Sequence, residues 1–379
     1  MKFFMSVITV LVAILAAFFL ISGCGSDDDP VSLPPTHASP FSGDYHYVQM
    51  TGLPFGSPYR SETGRFVTVR KDSVRFEEAY RTFDGSVEGP LVPPARALSF
   101  HDDRGVAFTD PADWVIQGRF SGDGSVAVLH GDTLNPHVGF MFATRMNPAP
   151  VQADLEGYWL LVQFGLVPEP APSTDLLGLG AFGRVEINNL GAAGFHFHTY
   201  NLDGQVDPLP VVHMMSELVV DDEGWVVWNN LTTNEVDFRG GLSSDGNLML
   251  LGAMEVFNGQ AGIRVLVREG LATSMAEVSG NYLAGGFTWL KSQPPSGGAF
   301  SLNGNMVVDG SGDGLWTVLV RTSEPTMPVT YAVEVEGIIA VDYLSENVLQ
   351  GGTGTGGEFL IMTGPFGQSG VPWFQAMVR

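Results

Sequence analysis

Two residue types that often stabilise or solubilise a folded chain are scarce in this sequence. Cys24 is the only cysteine, so no disulfide can form within the chain and the folded state must depend on apolar burial. The lysines are Lys2, Lys71 and Lys291, and with the arginines they make 18 basic residues against 41 acidic ones. The formal net charge of −23 repels phosphate groups, which argues against nucleic acid or anionic lipid as a partner.

Helical periodicity and catalytic signatures are missing as well. No stretch after residue 24 keeps a 3.6-residue apolar period, which predicts a nearly helix-free protein. The motifs G-x-S-x-G, S-x-x-K and H-E-x-x-H do not occur, so we predict a non-enzymatic chain without catalytic residues, cofactor or resident metal. Gly178–Gly183 and Gly352–Gly357 fit the pattern G-x-G-x-x-G. Because strand-like sequence follows each, where a nucleotide site needs a helix, we interpret both as glycine-rich turns.

The N-terminal segment has the layout of an export signal. Lys2 is followed by an uncharged apolar run from Phe3 to Ile21, which is long enough for a retained membrane helix as the alternative. The run ends in Ile21-Ser22-Gly23-Cys24, which resembles the lipobox of bacterial lipoproteins. That resemblance implies cleavage before Cys24 and attachment of palmitate-type acyl chains to the new terminus, which would hold the chain on a membrane. Gly25 follows where an aspartate would signal inner-membrane retention, so the resemblance favours the outer membrane.

The rest of the chain divides into a tether and three repeats. Residues 24–41 are rich in proline and aspartate without periodicity, which is typical of a flexible, solvated segment. The repeats at 42–146, 156–269 and 279–379 follow the signal peptide of residues 1–23 and this tether. Each repeat opens on Gly-x-Tyr or Gly-x-Trp and closes on an arginine in an apolar strand: Gly43, Tyr45 and Arg145; Gly157, Trp159 and Arg268; Gly280, Tyr282 and Arg379.

Short sequence motifs recur at matching positions in the first two repeats. Gln117-Gly118 matches Arg239-Gly240, and the late Asp123-Gly124 matches Asp245-Gly246. The third repeat has diverged most, and we assign its late turn to Ser345-Glu346-Asn347. A repeat of ~100 residues indicates tandem domains, or a pair of propeller blades per repeat.

Alternating apolar residues and Asp-Gly breaks predict β structure throughout each repeat. In the first repeat we expect eight strands, near 44–50, 64–70, 73–82, 96–101, 105–109, 114–120, 125–129 and 139–146. Eight strands in ~100 residues suit a small antiparallel barrel, in which closure removes exposed edges. Gly-x-Trp/Tyr on the first strand with arginine on the last is similar to the lipocalin-like (calycin) pattern. That resemblance implies an all-β barrel whose closing arginine packs across the opening aromatic ring. A single six-bladed β-propeller and other β-sandwich arrangements are the alternatives.

Several residue groups could form sites, each with a simpler interpretation. His196 and His198 share one face of a strand, with His213 and Glu217 downstream, but zinc needs three or four ligands together and Phe195 and Phe197 are the better core residues. We therefore expect these histidines to face water. Acidic turns lack the ligand spacing of a calcium loop, so we expect solvated hairpins at Asp102-Asp103, Asp221-Asp222-Glu223 and Asp309 with Asp313.

The tryptophans could pack in the core or stack on sugars. Trp225 and Trp228 lie three residues apart and so fall on opposite faces of a strand, and we expect one of them to point outward. From these observations we predict a lipid-anchored cell-envelope protein with a structural, adhesive or interaction role. A binding protein for a glycan or small apolar ligand is the alternative, and a hydrolase is the second. The partners would be the membrane through Cys24 and an envelope protein or glycan, with the oligomeric state left open.

Overall fold

Strands make up most of the described part of the chain. The computed structural model describes residues 41–52, 60–70, 73–83, 86–101, 105–109, 115–131, 138–168, 176–203, 205–209, 216–254, 261–290, 298–319, 326–334, 336–343, 347–366 and 372–379. These residues include two short 3-10 helices, Gln152–Leu155 and Thr355–Gly357. Within the same residues, no helix has the length and apolar character needed to cross a membrane. The predicted signal peptide and the tether as far as residue 40, including Cys24, lie outside this description.

The first repeat forms a closed antiparallel barrel. Its strands are β1 (Gly43–Gly52), β2 (Arg60–Arg70), β3 (Ser73–Phe83), β4 (Ser86–Leu91), β5 (Arg96–His101), β6 (Gly105–Thr109), β7 (Val115–Phe120), β8 (Val126–Gly131) and β9 (Val138–Arg145). Eight of them form the ring β2-β1-β9-β8-β7-β6-β5-β3, which closes because β3 also pairs with β2. β4 pairs with the C-terminal half of β3 and is not part of the ring. The sequence pattern predicted the eight ring strands but not β4, whose glycine and proline are unusual in a strand.

The second repeat has the same topology. Its strands are β10 (Gly157–Pro168), β11 (Leu176–Ile187), β12 (Ala192–Leu202), β13 (Gln205–Leu209), β14 (Ser216–Val220), β15 (Val226–Asn230), β16 (Glu235–Leu242), β17 (Leu248–Ala253) and β18 (Ala261–Arg268). The ring is β11-β10-β18-β17-β16-β15-β14-β12, closed by pairing of β11 with β12, and β13 stands outside it in the place of β4. The two extra strands therefore occupy equivalent positions in the two repeats.

The third repeat is a closed ring of eight strands in chain order. They are β19 (Gly280–Leu290), β20 (Gly298–Val308), β21 (Asp313–Leu319), β22 (Thr326–Val333), β23 (Ile338–Tyr343), β24 (Asn347–Thr353), β25 (Phe359–Gly364) and β26 (Trp373–Val378). In every repeat the first strand pairs with the last: β1 with β9, β10 with β18 and β19 with β26. Three tandem barrels are therefore confirmed, and the propeller alternative is wrong because each repeat closes on itself.

Each barrel encloses its own apolar core. Aromatic and aliphatic side chains on the inward face of each strand fill the interiors, as expected for eight-stranded barrels of this size. The largest of them are Tyr45, Tyr47, Phe66, Phe76, Phe108 and Phe120 in the first barrel, Trp159 and Trp228 in the second, and Tyr282 and Trp316 in the third.

A fourth core lies between the barrels. It is built mainly from outward-facing residues of the first and the last two strands of each ring, so these strands are buried on both faces. Strand register shows that equivalent positions contribute from all three repeats: Met50, Phe164 and Phe287; Phe140, Ile263 and Phe374; Val128, Leu250 and Ile361. The three barrels thus surround an approximate three-fold axis within one chain.

The contacts around that axis run head to tail. The sixth and seventh ring strands of each barrel pack on the first two strands of a neighbour: β16 and β17 on β1 and β2, β24 and β25 on β10 and β11, and β7 and β8 on β19 and β20. Glycines at these contacts leave no room for a Cβ atom or only a tight fit. They are Gly241 against His46, Gly352 against Leu160, and Gly285 against Val128. A heterologous contact repeated three times closes into a ring. The first and last thirds of the chain therefore meet directly, and Phe140 and Phe374 lie with ring centroids 5.4 Å apart.

Candidate binding groove

The residues that define the repeat meet at one end of each barrel. In the second barrel Arg268 pairs in register with Trp159, and its guanidinium carbon lies 4.3 Å from the centroid of the indole ring. The same guanidinium donates to the backbone carbonyls of Asp154 and Glu156 at 2.7 and 2.9 Å. Asp154 belongs to the 3-10 helix Gln152–Leu155 and Glu156 follows it directly, and this segment lies across the barrel end. The arginine therefore fastens this segment to the ring while covering the aromatic side chain.

The late turn of each barrel is the turn between its sixth and seventh ring strands. It accepts a hydrogen bond from the opening aromatic residue or from the closing arginine. The Tyr45 hydroxyl donates to the Gly124 carbonyl at 2.8 Å, and the Tyr282 hydroxyl donates to the Gly357 carbonyl at 2.7 Å. Trp159 has no hydroxyl, and in the second barrel Arg268 Nε donates to the equivalent Gly246 carbonyl at 3.2 Å. Burial raises the pKa of the Tyr45 hydroxyl, and the neighbouring arginine partly offsets that rise. This end of each barrel is closed and hydrogen-bonded, so its residues support the fold.

The opening glycines are required by backbone geometry. Gly43, Gly157 and Gly280 have φ values of 146°, 128° and 152°, a region that disfavours side chains. A Cβ on Gly280 would also lie 2.5 Å from the Arg379 Cδ atom. Arg379 donates to the carbonyls of Ser279 and Gly356, as Arg268 does to its own segment. The glycine of the Gly-x-aromatic signature thus makes space for the closing arginine.

The structure corrects the late turn of the third repeat. The predicted turn at Ser345-Glu346-Asn347 precedes β24, and its first two residues lie outside the described part of the chain. The segment equivalent to Asp123-Gly124 is Gly354–Glu358, between β24 and β25. The third repeat therefore keeps the same turn position, which the loss of the Asp-Gly pair concealed.

Only one of the two glycine-rich motifs is a turn. Gly352–Gly357 enters the Gly354–Glu358 turn, as predicted, but Gly178–Gly183 lies inside β11. Gly178 and Gly180 face the third barrel, and a Cβ on either would meet Pro372 at about 3 Å. The prediction of a turn was wrong there because close packing between barrels also selects glycine.

The histidine and acidic groups do not assemble a metal site in the described residues. Phe195 is buried and His196 is exposed, with its Nε2 atom 2.8 Å from Glu186, as the alternation predicts. Asp221 accepts from the backbone amide of Trp225 at 2.9 Å and holds a hairpin turn. The His198 side chain, His213 and Asp102-Asp103 lie outside the description.

The two neighbouring tryptophans lie on opposite sides of the second barrel wall. Trp228 is inside the barrel, whereas Trp225 is outside it but fully buried by the first barrel. The guanidinium groups of Arg65 and Arg239 lie 4.1 and 5.0 Å from the Trp225 ring centroid. Trp225 therefore points out of its own barrel, as expected, but the first barrel covers its ring and keeps it from water. Trp114 and the Trp289 side chain lie outside the described residues.

Some of the charged and amide groups inside the first two barrels pair with one another. In the first barrel Glu62 is 4% exposed, accepts from the Tyr47 hydroxyl at 2.6 Å and forms a two-point ion pair with Arg81. In the second barrel both Nε and one terminal nitrogen of Arg264 donate to Gln163. The sequence pattern does not reveal these groups, because charged residues at inward strand positions break the alternation that marks a core-facing strand.

An open groove lies on the outer face of the third barrel. It crosses β20 to β23, has a volume of about 760 Å³, and includes Val307 and Leu315 among its lining residues. These two side chains are 47% and 53% exposed although both are apolar. The other barrels cover the first and last strands of this ring but leave its middle strands open. A large pocket lined by apolar groups is the usual form of a binding site.

The groove is acidic as well as apolar. Asp309, Asp313 and Asp342 line it, and none of its described lining residues is basic. The Asp309 carboxylate accepts hydrogen bonds from the hydroxyl and amide of Ser311 and from the Asp313 amide. These bonds lower the pKa of the carboxyl and use its oxygens within the turn. Asp342 Oδ1 is buried and has no hydrogen-bond partner in the described residues. Asp313 and Asp342 thus remain available to a cation in the groove.

Comparisons with known proteins provide no family for the chain. No family model and no curated protein matches it. Among solved structures it is similar to a mutant transferrin binding protein B of Haemophilus parasuis Hp5, with 10% identity, a TM-score of 0.24, and coverage of 89% of this chain and 75% of that one. Transferrin binding protein B of serogroup B Neisseria meningitidis gives 10% identity, a TM-score of 0.25, and coverage of 89% and 77%. Scores this low do not establish a common topology, so we take no function from these proteins.

Proposed function

We propose that this protein is a non-enzymatic binding protein of the bacterial envelope, anchored by lipid on Cys24 and carrying its partner in the groove of the third barrel. The anchor rests on the resemblance of Ile21–Cys24 to a lipobox. The binding role rests on one structural observation, the exposed apolar pair Val307 and Leu315 in a groove of about 760 Å³.

The outer face suits this role better than the barrel interiors. Apolar side chains in contact with water are a source of binding free energy, at roughly 25 cal/mol per Å² buried. The interiors already bury their aromatic residues and pair polar ones such as Glu62 and Arg264 internally. Folding therefore fills the interiors with aromatic side chains but leaves the apolar groove on the outside of the third barrel exposed.

Site-specific photo-crosslinking in intact cells tests the proposal. A photoreactive amino acid would replace Leu315 in the lipidated protein, and a second variant would carry it at Leu190. Leu190 is a matched control because it is apolar and 74% exposed, but lies in a hairpin turn of the second barrel. We expect a discrete adduct from position 315 and none from position 190. No adduct at 315, or the same adducts at both positions, would contradict the proposal.

A further inference from the structure

Building on that proposed function, we infer that the occupant of the groove is a cationic amphipathic segment of another protein. Its apolar side chains cover Val307 and Leu315, and its lysine or arginine side chains reach Asp313 and Asp342.

Strand pairing arranges the apolar residues in a line. Val307 on β20 lies opposite Leu315 on β21, and Leu315 lies opposite Pro328 on β22. All three are exposed. Directly paired residues on one sheet face have Cβ atoms about 5 Å apart, so the three form a continuous apolar row across the strands.

A second row runs parallel to the first. Asp313 lies opposite Thr330, which lies opposite Asp342 on β23. Asp313 is two residues from Leu315 on the same strand, so the rows are separated by about 7 Å. This row carries two carboxylates with no basic side chain in the described groove lining. A partner that fits both rows therefore needs apolar groups about 7 Å from positively charged groups. A short amphipathic segment can provide this separation.

The acidic row decides between the possible occupants. A second copy of this chain carries the same net charge of −23, and like charges brought together at an interface are unfavourable. Anionic lipid is repelled for the same reason. Asp342 is half-buried in the groove lining, where no described residue is basic, and a carboxylate gains most from a charged donor. A positively charged segment supplies that donor.

Model peptides provide the test. The full lipidated protein, held in nanodiscs of a zwitterionic lipid, would be titrated with a labelled leucine-lysine peptide, a leucine-glutamate peptide and a serine-lysine peptide. Empty nanodiscs provide the blank. We expect the leucine-lysine peptide to bind at least about tenfold more tightly than the other two, because it alone satisfies both rows.

Groove variants assign the binding to this face. Leu315→Asp should weaken leucine-lysine binding by about tenfold or more, since it places a charge in the apolar row. The double variant Asp313→Asn with Asp342→Asn should weaken it by about three- to tenfold and reduce its dependence on salt. Asp309 is left unchanged because it holds a turn. Leu190→Asp should bind as the unaltered protein does, and thermal unfolding midpoints check that each variant is folded.

Different results overturn different claims. Equal binding of the serine-lysine peptide, or unchanged binding by the groove variants, would show attraction to an acidic surface in general and overturn the inference. An adduct at position 315 whose captured segment lacks lysine and arginine would overturn the inference while leaving the proposed function in place. An adduct with a second copy of the chain would do the same. Absence of any adduct at 315 would remove the proposed function itself.

Discussion

Arg268 and Trp159 are 109 positions apart in the sequence but lie opposite each other in the second barrel, with the guanidinium carbon 4.3 Å from the indole centroid. The contact joins the last strand to the first and extends to the carbonyls of Asp154 and Glu156. One side chain therefore links the last strand to the first, covers the Trp159 ring and fastens the segment across the barrel end.

Loss of this arginine should destabilise the protein. Arg268→Ala removes a ring contact worth roughly 0.5–2 kcal/mol and leaves the carbonyls of the covering segment without their charged donor, so we expect a total loss of about 2–4 kcal/mol. Arg268→Lys should recover less than half, because an ammonium group cannot stack and reach several carbonyls together. Urea unfolding measures the change. Arg75→Ala is the control, since Arg75 is 62% exposed and pairs only with Glu77 in the described contacts. A similar loss in both alanine variants would refute the role of Arg268.

His46 should make the contact between the first two barrels sensitive to acid. It is fully buried against Gly241 and Trp225, and neither ring nitrogen has a hydrogen-bond partner in the described residues. Burial, reinforced by the charge of Arg65, lowers the pKa of His46 to about 3. The unfolded chain then binds a proton near pH 6.5 that the folded chain excludes, so stability is present above pH 6.5 and is lost as the pH falls towards 3.

The measurement for His46 is the urea midpoint between pH 7.5 and 5.5, a range above the titration of ordinary carboxylates. We expect the unaltered protein to lose about 1 kcal/mol or more across this range, and His46→Leu to lose clearly less. Asp221, Glu223, Glu78, Arg239 and Tyr80 also face this contact and are present in both proteins. His196→Leu, which alters an exposed histidine, should keep the slope of the unaltered protein. If His46→Leu keeps that slope too, the buried histidine is not its cause.

Glu358 should oppose folding at neutral pH. Asp123 and Asp245, in the late turns of the first two barrels, act on the charge of Glu358 in the late turn of the third barrel. Burial, and then the charge of Asp123, raises the pKa of Glu358. Its ionisation therefore costs more in the folded than in the unfolded chain, and stability falls as the pH rises through its titration. Glu358→Gln should raise the unfolding midpoint at pH 7 and have less effect at pH 4. Glu235→Gln, at an exposed position, provides the comparison, and a midpoint that does not rise at pH 7 would argue against the repulsion.

Cys24→Ser should leave an unprocessed precursor without acyl chains. The thiol is the group that the lipobox resemblance assigns to diacylglyceryl attachment, and serine supplies no thiol. Metabolic labelling with palmitate, followed by membrane fractionation, measures the result. Ser22→Thr, which keeps the cysteine, serves as a processing control. Label that persists in the Cys24→Ser protein would exclude the proposed anchor.

The sequence by itself determined the strands, the repeat and its signature residues, because these depend on local patterns. Alternation along Phe66-Val67-Thr68-Val69 and the Asp-Gly turns predict strands and hairpins wherever they occur. The glycine, aromatic and arginine positions recur because each barrel closes in the same way. The late turn of the third repeat was misplaced, since Gly354–Glu358 performs the turn without the Asp-Gly pair that marks the other two.

Tertiary structure alone decided which outer faces are covered. Met50 and Val307 are both apolar and both point out of their barrels, yet Met50 is buried in the shared core and Val307 is 47% exposed. Alternation distinguishes the inside of a barrel from its outside, but it does not identify the neighbour that packs on the outside. That choice follows from the head-to-tail contacts of three barrels around one axis. The same contacts bury Trp225 and leave the groove at Leu315 open.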